Sequence, residues 1–245
     1  MELVGHRGMI DMQGPLENTV AAVEAALAAG ADGVEVDARL TADGVPVCLH
    51  DADLLRISGF PSPVRLLTYD QLRRVPLLTG EVVPRLAEVA EAVRGRGRLI
   101  VDAKDDGAYP ETVAAPVVAV LRQAGLGGDA VLSSFSDRVL QHARRIEPQL
   151  SRALITGRLV PATDGLRRAV AAGHGELHAH IRSVLADHHV VDRAGRHGVR
   201  VRCWTVNREA DARLLAVTGA AGVITDDPAR IGSALTDRPL ERSAR

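Results

Sequence analysis

Eight short runs rich in Val, Ile and Leu recur along the chain and alternate with Ala-, Leu- and Arg-rich segments of helical period. The runs lie near 2–6, 33–38, 98–103, 130–135, 151–155, 176–180, 199–204 and 222–225. Strands that alternate with helices indicate a parallel sheet, because each parallel connection needs a crossover. Eight such units in 245 residues predict an α/β fold with a single (β/α)8 barrel. A doubly wound open sheet is the alternative.

The segments between the strands predict helices at 19–29, 86–94, 113–124, 137–146, 165–172, 183–195 and 210–217. Residues 56–85 predict a long loop with a short helix near 69–75. The polar residues 236–245 predict a C-terminal tail. We therefore expect one catalytic domain over residues 1–235.

One apolar run breaks the parallel pattern. Residues 45–50 follow the Asp43-Gly44 turn too closely for a parallel crossover, whereas an antiparallel strand can be joined that tightly. We therefore expect a β-hairpin over 38–50 that rises from the second strand and folds back.

Composition excludes several classes of function. The 30 basic and 31 acidic residues give a net charge of −1, so a nucleic-acid partner is not expected. No signal peptide and no apolar run long enough to span a membrane are visible. Cys48 and Cys203 lie in apolar runs and predict buried free thiols. These features favour a cytoplasmic protein, and they leave the oligomeric state open.

Polar side chains cluster where the predicted strands end. Glu35 and Asp37 share one face of the second strand, because residues two apart point the same way. Asp102 and Lys104 repeat this spacing at the third strand. The hairpin can return His50 to the same place, and His6-Arg7 ends the first strand. The carboxyl ends of barrel strands are where active sites lie, so we expect one shared site.

The residue types in this cluster suit one kind of chemistry. The carboxylates of Glu35, Asp37 and Asp102 form an oxygen site for one divalent cation, Mg²⁺ or Ca²⁺. Arg7 and Lys104 supply positive charge for an anion. His6 and His50 can act as acid and base near neutral pH. Together these groups supply what phosphodiester cleavage needs.

The motifs also resemble a known family. The chain contains in order His6-Arg7-Gly8, Glu17-Asn18-Thr19, Glu35-Val36-Asp37, Leu40-Thr41-Ala42-Asp43-Gly44, His50-Asp51, Asp102-Ala103-Lys104, Trp204-Thr205-Val206-Asn207 and Thr225-Asp226. In this pattern, which covers about residues 3 to 231, the chain resembles the glycerophosphodiester phosphodiesterases.

The resemblance implies hydrolysis of glycerophosphodiesters to sn-glycerol 3-phosphate and an alcohol. It implies His6 and His50 as acid and base, and Glu35, Asp37 and Asp102 as metal ligands. It further implies that Arg7 and Lys104 contact the phosphate, while Phe135 and Trp204 line the substrate pocket. Glu17, Asn18 and Asp51 would lie behind these residues and support them.

Other functions remain open. Asp102 stands where these phosphodiesterases usually have Glu, which makes the chain similar to the related phospholipase D toxins. Those enzymes act on choline lysolipids or sphingolipids and form a cyclic phosphate. His178-Ala179-His180, with His174, His188 and His189 nearby, is a candidate transition-metal site. A barrel that binds glycerophosphodiesters without turnover is a further alternative.

Overall fold

A closed ring of eight parallel strands forms the centre of the molecule. The computed structural model describes residues 1–10, 14–105 and 111–236. The ring strands are β1 (Glu2–His6), β2 (Gly33–Leu40), β6 (Arg98–Ala103), β7 (Ala130–Ser134), β8 (Ser151–Thr156), β9 (Glu176–His180), β10 (Arg200–Trp204) and β11 (Gly222–Thr225). The ring closes because β1 pairs with β2 on one side and with β11 on the other. The predicted (β/α)8 barrel is therefore confirmed, and the open sheet is excluded.

Successive side chains of each ring strand point alternately into the ring and out toward the helices, which gives two separate apolar layers. Inside the ring, five residues pack as one small cluster: Val4, Ile100, Val131, Ala153 and Ile224. Their chain neighbours, such as Leu3, Leu99 and Leu132, join a much larger cluster with the surrounding helices. The larger cluster contains no buried aromatic residue, so small aliphatic side chains fill the space between strands and helices.

The helices connect the strands on the outside. They are α1 (Val20–Ala28), α2 (Leu55–Ser58), α3 (Tyr69–Leu72), α4 (Leu86–Val93), α5 (Glu111–Gln123), α6 (Asp137–Ile146), α7 (Ala162–Ala172), α8 (Ile181–Ala186), α9 (His189–Arg196), α10 (Glu209–Val217) and α11 (Pro228–Thr236). The single helix predicted over 183–195 is wrong, because two helices occupy that segment. Asp187 ends α8 with a non-helical backbone, φ −148° and ψ 75°, and its carboxylate pairs with Arg193, which fits the preference of Asp for helix ends.

The predicted hairpin is present. Strand β3 (Pro46–Cys48) runs antiparallel to β2, with Ala38 opposite Cys48 and Leu40 opposite Pro46. Gly44 has a φ of 76°, a left-handed conformation that glycine adopts without steric cost. The hairpin brings the chain back to the barrel mouth at His50, as the sequence predicted.

Residues 51–84 hold more structure than the predicted loop. Strands β4 (Asp53–Leu54) and β5 (Phe60–Pro63) pair antiparallel, and α2 lies between them. We call this segment the insert. Its apolar residues pack with the hairpin in a separate cluster that includes Val47, Leu54 and Ile57. The predicted short helix is present as α3, although it ends before Val75.

Two predictions concern the ends of the chain and its relation to membranes. Helix α11 ends at Thr236, and the rest of the predicted tail, 237–245, lies outside the described residues. The division into a domain over 1–235 and a tail therefore stays a prediction. Among the described residues, no helix has the length and apolar character needed to cross a membrane.

Candidate active site

The carboxyl ends of the ring strands surround one cavity of about 450 Å³, measured to include its open mouth. It is lined by His6, Arg7, Glu35, Asp37, His50, Asp102, Lys104, Ser133, Phe135, Ile155, His178, Trp204 and Ile224. Nine of the twelve predicted site residues are in this lining. The other three, Glu17, Asn18 and Asp51, bond to lining residues from behind.

Three buried carboxylates form the most concentrated charge in the cavity. Glu35, Asp37 and Asp102 each offer an oxygen within 4.8 Å of the others. The Oδ1 atom of Asp102 is buried and has no hydrogen-bond partner among the residues that the structure describes. A buried carboxylate oxygen left unpaired is costly in the protein alone, and a hard cation would satisfy it. The donor set therefore fits one divalent cation.

Two basic side chains hold these carboxylates. The Lys104 Nζ atom lies 2.6 Å from Asp37 Oδ1 and also pairs with Asp102. The Arg7 guanidinium lies 3.1 Å from Asp37 Oδ2 and donates to Glu17 over 3.0 Å. Arg7 and Lys104 line the same cavity as the carboxylates that they pair with.

The pKa values of the carboxylates differ sharply. Burial raises the pKa of Glu35 to about 7, and the nearby charge of Asp37 adds to this effect. Burial also favours a raised pKa at Asp37, but Lys104 and Arg7 outweigh it and hold the pKa at about 2. The pKa of Asp102 is raised, chiefly by burial. Asp37 is the carboxylate that stays charged through the acid range.

Asn18 fixes Asp37 from behind. Its Nδ2 donates to Asp37 Oδ2 and its Oδ1 accepts from the Asp37 backbone N–H, both over 2.9 Å. Asn18 adopts a φ of 62°, a left-handed conformation that Asn tolerates better than most residues. The next residue, Thr19, caps α1. The Glu-Asn-Thr motif therefore joins a helix start to a site carboxylate.

His6 belongs to a hydrogen-bonded chain of its own. Its Nδ1 lies 2.6 Å from Asp226 Oδ1, and its Nε2 lies 4.0 Å from Glu35 Oε2. Asn207 fixes Asp226 by accepting from its backbone N–H over 3.0 Å and donating to its carboxylate. Burial alone would lower the pKa of His6, but the Asp226 hydrogen bond and the Glu35 charge raise it above the ordinary value.

His50, which follows β3, has the same kind of arrangement. Its Nδ1 lies 2.7 Å from Asp51 Oδ1, and Arg56 donates to the other Asp51 oxygen over 2.6 Å. Arg56 also donates to Glu17 over 2.6 Å, which links the insert to the residue that holds Arg7. The His50 side chain is 39% exposed, against 16% for His6.

Two aromatic side chains mark the rim. The rings of Phe135 and Trp204 meet edge to face, with centroids 5.7 Å apart. Phe135 is 46% exposed, so it presents an apolar surface at the cavity entrance. The Trp204 Nε1 atom donates to the His178 carbonyl over 3.1 Å, which fixes the indole against β9.

The alternative transition-metal site does not form around β9. His178 Nε2 lies 3.0 Å from Glu176 Oε2, and the ring of His180 packs edge to face against Trp204. Within the residues that the structure describes, the one group of three or more ligating side chains is Glu35, Asp37 and Asp102.

Reasoning from the sequence assigned no role to four polar residues around the site: Asp226, Asn207, Arg56 and Ser133. Asp226 and Asn207 lie in the Thr-Asp and Trp-Thr-Val-Asn motifs, so the motifs themselves carried a signal. Arg56 lies in the segment taken as a loop, and Ser133 follows the same strand-end rule that identified Asp102.

Comparison with known proteins gives one consistent result. The model of the glycerophosphoryl diester phosphodiesterase family matches residues 6–230. A protein of Caldanaerobacter subterraneus named glycerophosphodiester phosphodiesterase is 27% identical, covering 92% of this chain and 94% of that protein.

Solved structures agree with this match. A phosphodiesterase of Oleispira antarctica, solved in complex with the product sn-glycerol-3-phosphate, superposes with a TM-score of 0.87 at 27% identity and covers 97% of both chains. A glycerophosphodiester phosphodiesterase from Parabacteroides distasonis gives a TM-score of 0.84 at 25% identity and covers 96% of both chains.

Proposed function

We propose that this chain, which belongs to the glycerophosphoryl diester phosphodiesterase family and is thus a phosphoric diester hydrolase, releases sn-glycerol 3-phosphate from glycerophosphodiesters. One observation carries the proposal: the buried carboxylates of Glu35, Asp37 and Asp102 share a cavity with two carboxylate-paired histidines. The product complex of the Oleispira antarctica relative supports the choice of product.

The carboxylate cluster would hold one divalent cation, Mg²⁺ or Ca²⁺. Both ions prefer oxygen ligands, and the unpaired Asp102 Oδ1 atom supplies one. When bound, the cation supplies positive charge to offset the charge of the phosphoryl oxygens.

His6 and His50 would exchange the protons of the reaction. The Nδ1 atom of each ring is hydrogen-bonded to an aspartate, Asp226 for His6 and Asp51 for His50. The Nε2 atom of each ring is thus left to exchange a proton with the substrate. An ionised carboxylate accepts a hydrogen bond and cannot donate one, so Nδ1 carries the proton in each neutral ring. This arrangement orients both rings and prepares one histidine as acid and the other as base.

Arg7 and Lys104 would contact the phosphate, while Phe135 and Trp204 would contact its organic substituents. Both basic side chains line the cavity beside the carboxylates. A divalent cation bound there would take over part of the negative charge that Arg7 and Lys104 now neutralise. The aromatic pair lies at the rim, where an alcohol group would leave.

The test is product release by metal-stripped protein. We expect sn-glycerol 3-phosphate from glycerophosphocholine or glycerophosphoethanolamine after addition of Mg²⁺ or Ca²⁺, and none without. His6→Ala and His50→Ala should each lower kcat at least a hundredfold, while His197→Ala, at an exposed histidine, serves as the matched control. Equal release with and without cation would contradict the metal assignment, and an active His6→Ala or His50→Ala would contradict the acid-base pair.

A second candidate function rests on Asp102. This shorter side chain makes the site similar to that of the related phospholipase D toxins, which yield a cyclic phosphate. Phosphorus NMR of lysophosphatidylcholine and sphingomyelin reactions would show a cyclic phosphate if that activity is present. Binding of diesters without any product would instead indicate a non-catalytic barrel.

We also propose that the protein works in the cytoplasm on a small-molecule substrate, without a nucleic-acid partner. Cys48 and Cys203 are both buried and free, as predicted, which is compatible with a reducing compartment. Fractionation of cells that produce the tagged chain tests the location.

A further inference from the structure

His50 lies in an irregular stretch of backbone. Strand β3 ends before it, at Cys48, and β4 begins after it, at Asp53. The ladder that pairs β2 with β3 therefore does not extend to His50. A side chain that transfers a proton must be held close to its productive position, because a displacement of about 1 Å can cost a hundredfold in rate. Contacts outside the ladder have to supply this precision at His50.

The guanidinium group of Arg39 makes such a contact. Arg39 is half-buried on β2, two residues after Asp37 and therefore on the same face of the strand. Its Nε and Nη2 atoms both donate to the carbonyl oxygen of His50, over 2.9 Å and 2.7 Å. Hydrogen bonds from a charged donor are stronger than neutral ones. The strand that carries two of the three site carboxylates thus also holds the backbone of His50.

The two contacts of His50 have different effects. Asp51 bonds to the ring at Nδ1 and fixes the rotation of the side chain. Arg39 bonds to the carbonyl group and fixes the point from which the side chain starts. Arg39 is not among the residues that line the active-site cavity, so its effect on a bound substrate must pass through His50.

We propose that Arg39 is a positioning residue, which sets the place of His50 relative to the carboxylates of β2. This assignment rests on the proposed function, since that function gives His50 its proton transfer. The positive charge of Arg39 also interacts with the charges of Asp37, Asp51 and Asp102. An effect of charge alone is therefore the competing explanation. Positioning requires the hydrogen bond to His50, whereas a charge effect requires only the positive charge.

Two substitutions separate the hydrogen bond from the charge. In Arg39→Gln, the amide nitrogen can occupy the place of the Arg39 Nε atom, so it can still donate to the His50 carbonyl. In Arg39→Met, a methyl group occupies that place and donates nothing. Both variants lose the charge and every other contact of the guanidinium group. The difference between the two variants therefore reports the bond to His50.

The first measurement is steady-state cleavage of glycerophosphocholine with excess Mg²⁺ or Ca²⁺. We expect Arg39→Met to lower kcat by about tenfold to a hundredfold with little change in KM, because His50 is displaced while the binding residues stay in place. Arg39→Gln should keep kcat within about threefold of wild type. Arg144→Met is the matched control, since Arg144 also donates to a backbone carbonyl, that of Ala172, over 2.7 Å. Arg144 is exposed on α6, so its loss should leave kcat unchanged.

The second measurement needs no catalysis. Histidine-selective NMR records the ring signals, and His50→Ala identifies the signal of His50. In Arg39→Met this signal should shift or broaden, while the ring signal of His6, which Asp226 holds, should stay in place. Arg39→Gln should keep both signals at their wild-type positions.

Two results would overturn the assignment: equal kcat in Arg39→Gln and Arg39→Met, or an unmoved His50 signal in Arg39→Met. If Arg39→Met folds poorly, Arg39→Gln decides alone, because a loss of about tenfold in that variant would assign the effect to charge. The proposed reaction fails separately. A wild-type protein that releases no sn-glycerol 3-phosphate, with the His50 signal displaced in Arg39→Met and kept in Arg39→Gln, retains the positioning of His50 and removes the reaction.

Discussion

At the scale of single residues, His6 and His50 share one design. In each ring, Nδ1 is hydrogen-bonded to an aspartate, and a second residue holds that aspartate in place. Asn207 holds Asp226, and Arg56 holds Asp51. The two environments differ in solvent access, since His6 is the more buried ring. Burial and nearby carboxylates act in opposite directions on the pKa of a histidine, and at His6 the Asp226 hydrogen bond and the Glu35 charge together outweigh burial.

The first prediction concerns Asp226→Asn. The variant keeps the shape of the side chain but removes the charge that raises the pKa of His6. We expect the pKa of His6 to fall, so the limb of the kcat/KM pH profile that belongs to His6 should move to lower pH. Asp227→Asn is the control, because Asp227 pairs with Arg230 and does not contact His6. An unchanged profile in Asp226→Asn would show that this carboxylate does not tune His6.

Residue-level prediction from the sequence works where a side chain follows a strand end. Glu35, Asp37 and Asp102 were identified in this way, because barrel geometry brings strand ends together whatever lies between them. The Asp226 contact is different, since it spans 220 positions and depends on the rotamers of both side chains. Strand order places Asp226 near His6, but only the packed structure shows that the two side chains bond.

At the scale of elements, the insert is tied to the barrel mouth through one side chain of α2. Arg56 donates to Asp51 and to Glu17, so it joins the residue that orients His50 to the residue that holds Arg7. Arg56 is half exposed, and an exposed ion pair contributes little to global stability. Its effect should therefore be on the site rather than on the fold.

The second prediction is that Arg56→Gln lowers kcat/KM about three- to tenfold, equivalent to losing roughly 1 kcal/mol of transition-state stabilisation, the net contribution of one ordinary hydrogen bond. The melting temperature should change little. Arg73→Gln, on the same insert but paired with the exposed Asp70, is the control and should leave kcat/KM unchanged. A large drop in melting temperature for Arg56→Gln would show instead that the contact is structural.

Prediction of elements succeeded for the ring strands and missed the two short strands of the insert. All eight ring strands were predicted from the sequence, because β-branched runs that alternate with helical segments are compatible with few folds other than a parallel sheet flanked by helices. Strand β4 has two residues, and β5 has four, of which Pro61 and Pro63 are two. Neither strand is long enough to show the alternation of apolar and polar residues that identifies a strand in a sequence. These elements form because Leu54 and Ile57 pack against the hairpin residue Val47, a contact that local pattern does not reveal.

At the scale of the whole molecule, a buried ionic cluster joins the first and last parts of the chain at the end of the barrel opposite the site. Arg202 of β10 is fully buried and pairs with Glu2 of β1 and Glu176 of β9. Arg200 reaches Glu176 from the surface, where its side chain is 49% exposed. Two guanidinium groups thus bind the same carboxylate, one from inside and one from outside.

The third prediction compares these two arginines. Arg202→Leu should lower the free energy of unfolding by about 3 kcal/mol, because it leaves buried carboxylate charge without its inner partner. Arg200→Leu removes an exposed partner of the same carboxylate and should cost about 0–1 kcal/mol. Urea unfolding followed by circular dichroism measures both. Equal losses in the two variants would mean that burial does not set the strength of this cluster.

His174 is a second buried polar residue outside the site, and it lacks any such partner. Both ring nitrogens are buried and have no hydrogen-bond partner in the described part of the chain. Burial, with the nearby charge of Arg152, lowers the pKa of His174 to about 4. Between about pH 6.5 and pH 4, the unfolded chain therefore binds a proton at this position that the folded chain does not. The contribution of His174 to folding becomes less favourable as the pH falls through that window.

The fourth prediction follows from the direction of this pH dependence. His174→Leu removes the proton difference and two unpaired nitrogens, so it should raise the melting temperature at pH 8 and raise it further at pH 5. Its kcat/KM should match wild type, because the residue lies outside the cavity lining. His197→Ala, at an exposed histidine, controls for loss of a titrating ring and should show no pH-dependent gain. An equal gain at both pH values would mean that His174 has the same pKa in the folded and unfolded chain. A lower melting temperature would mean that the ring nitrogens of His174 make stabilising hydrogen bonds in the folded protein.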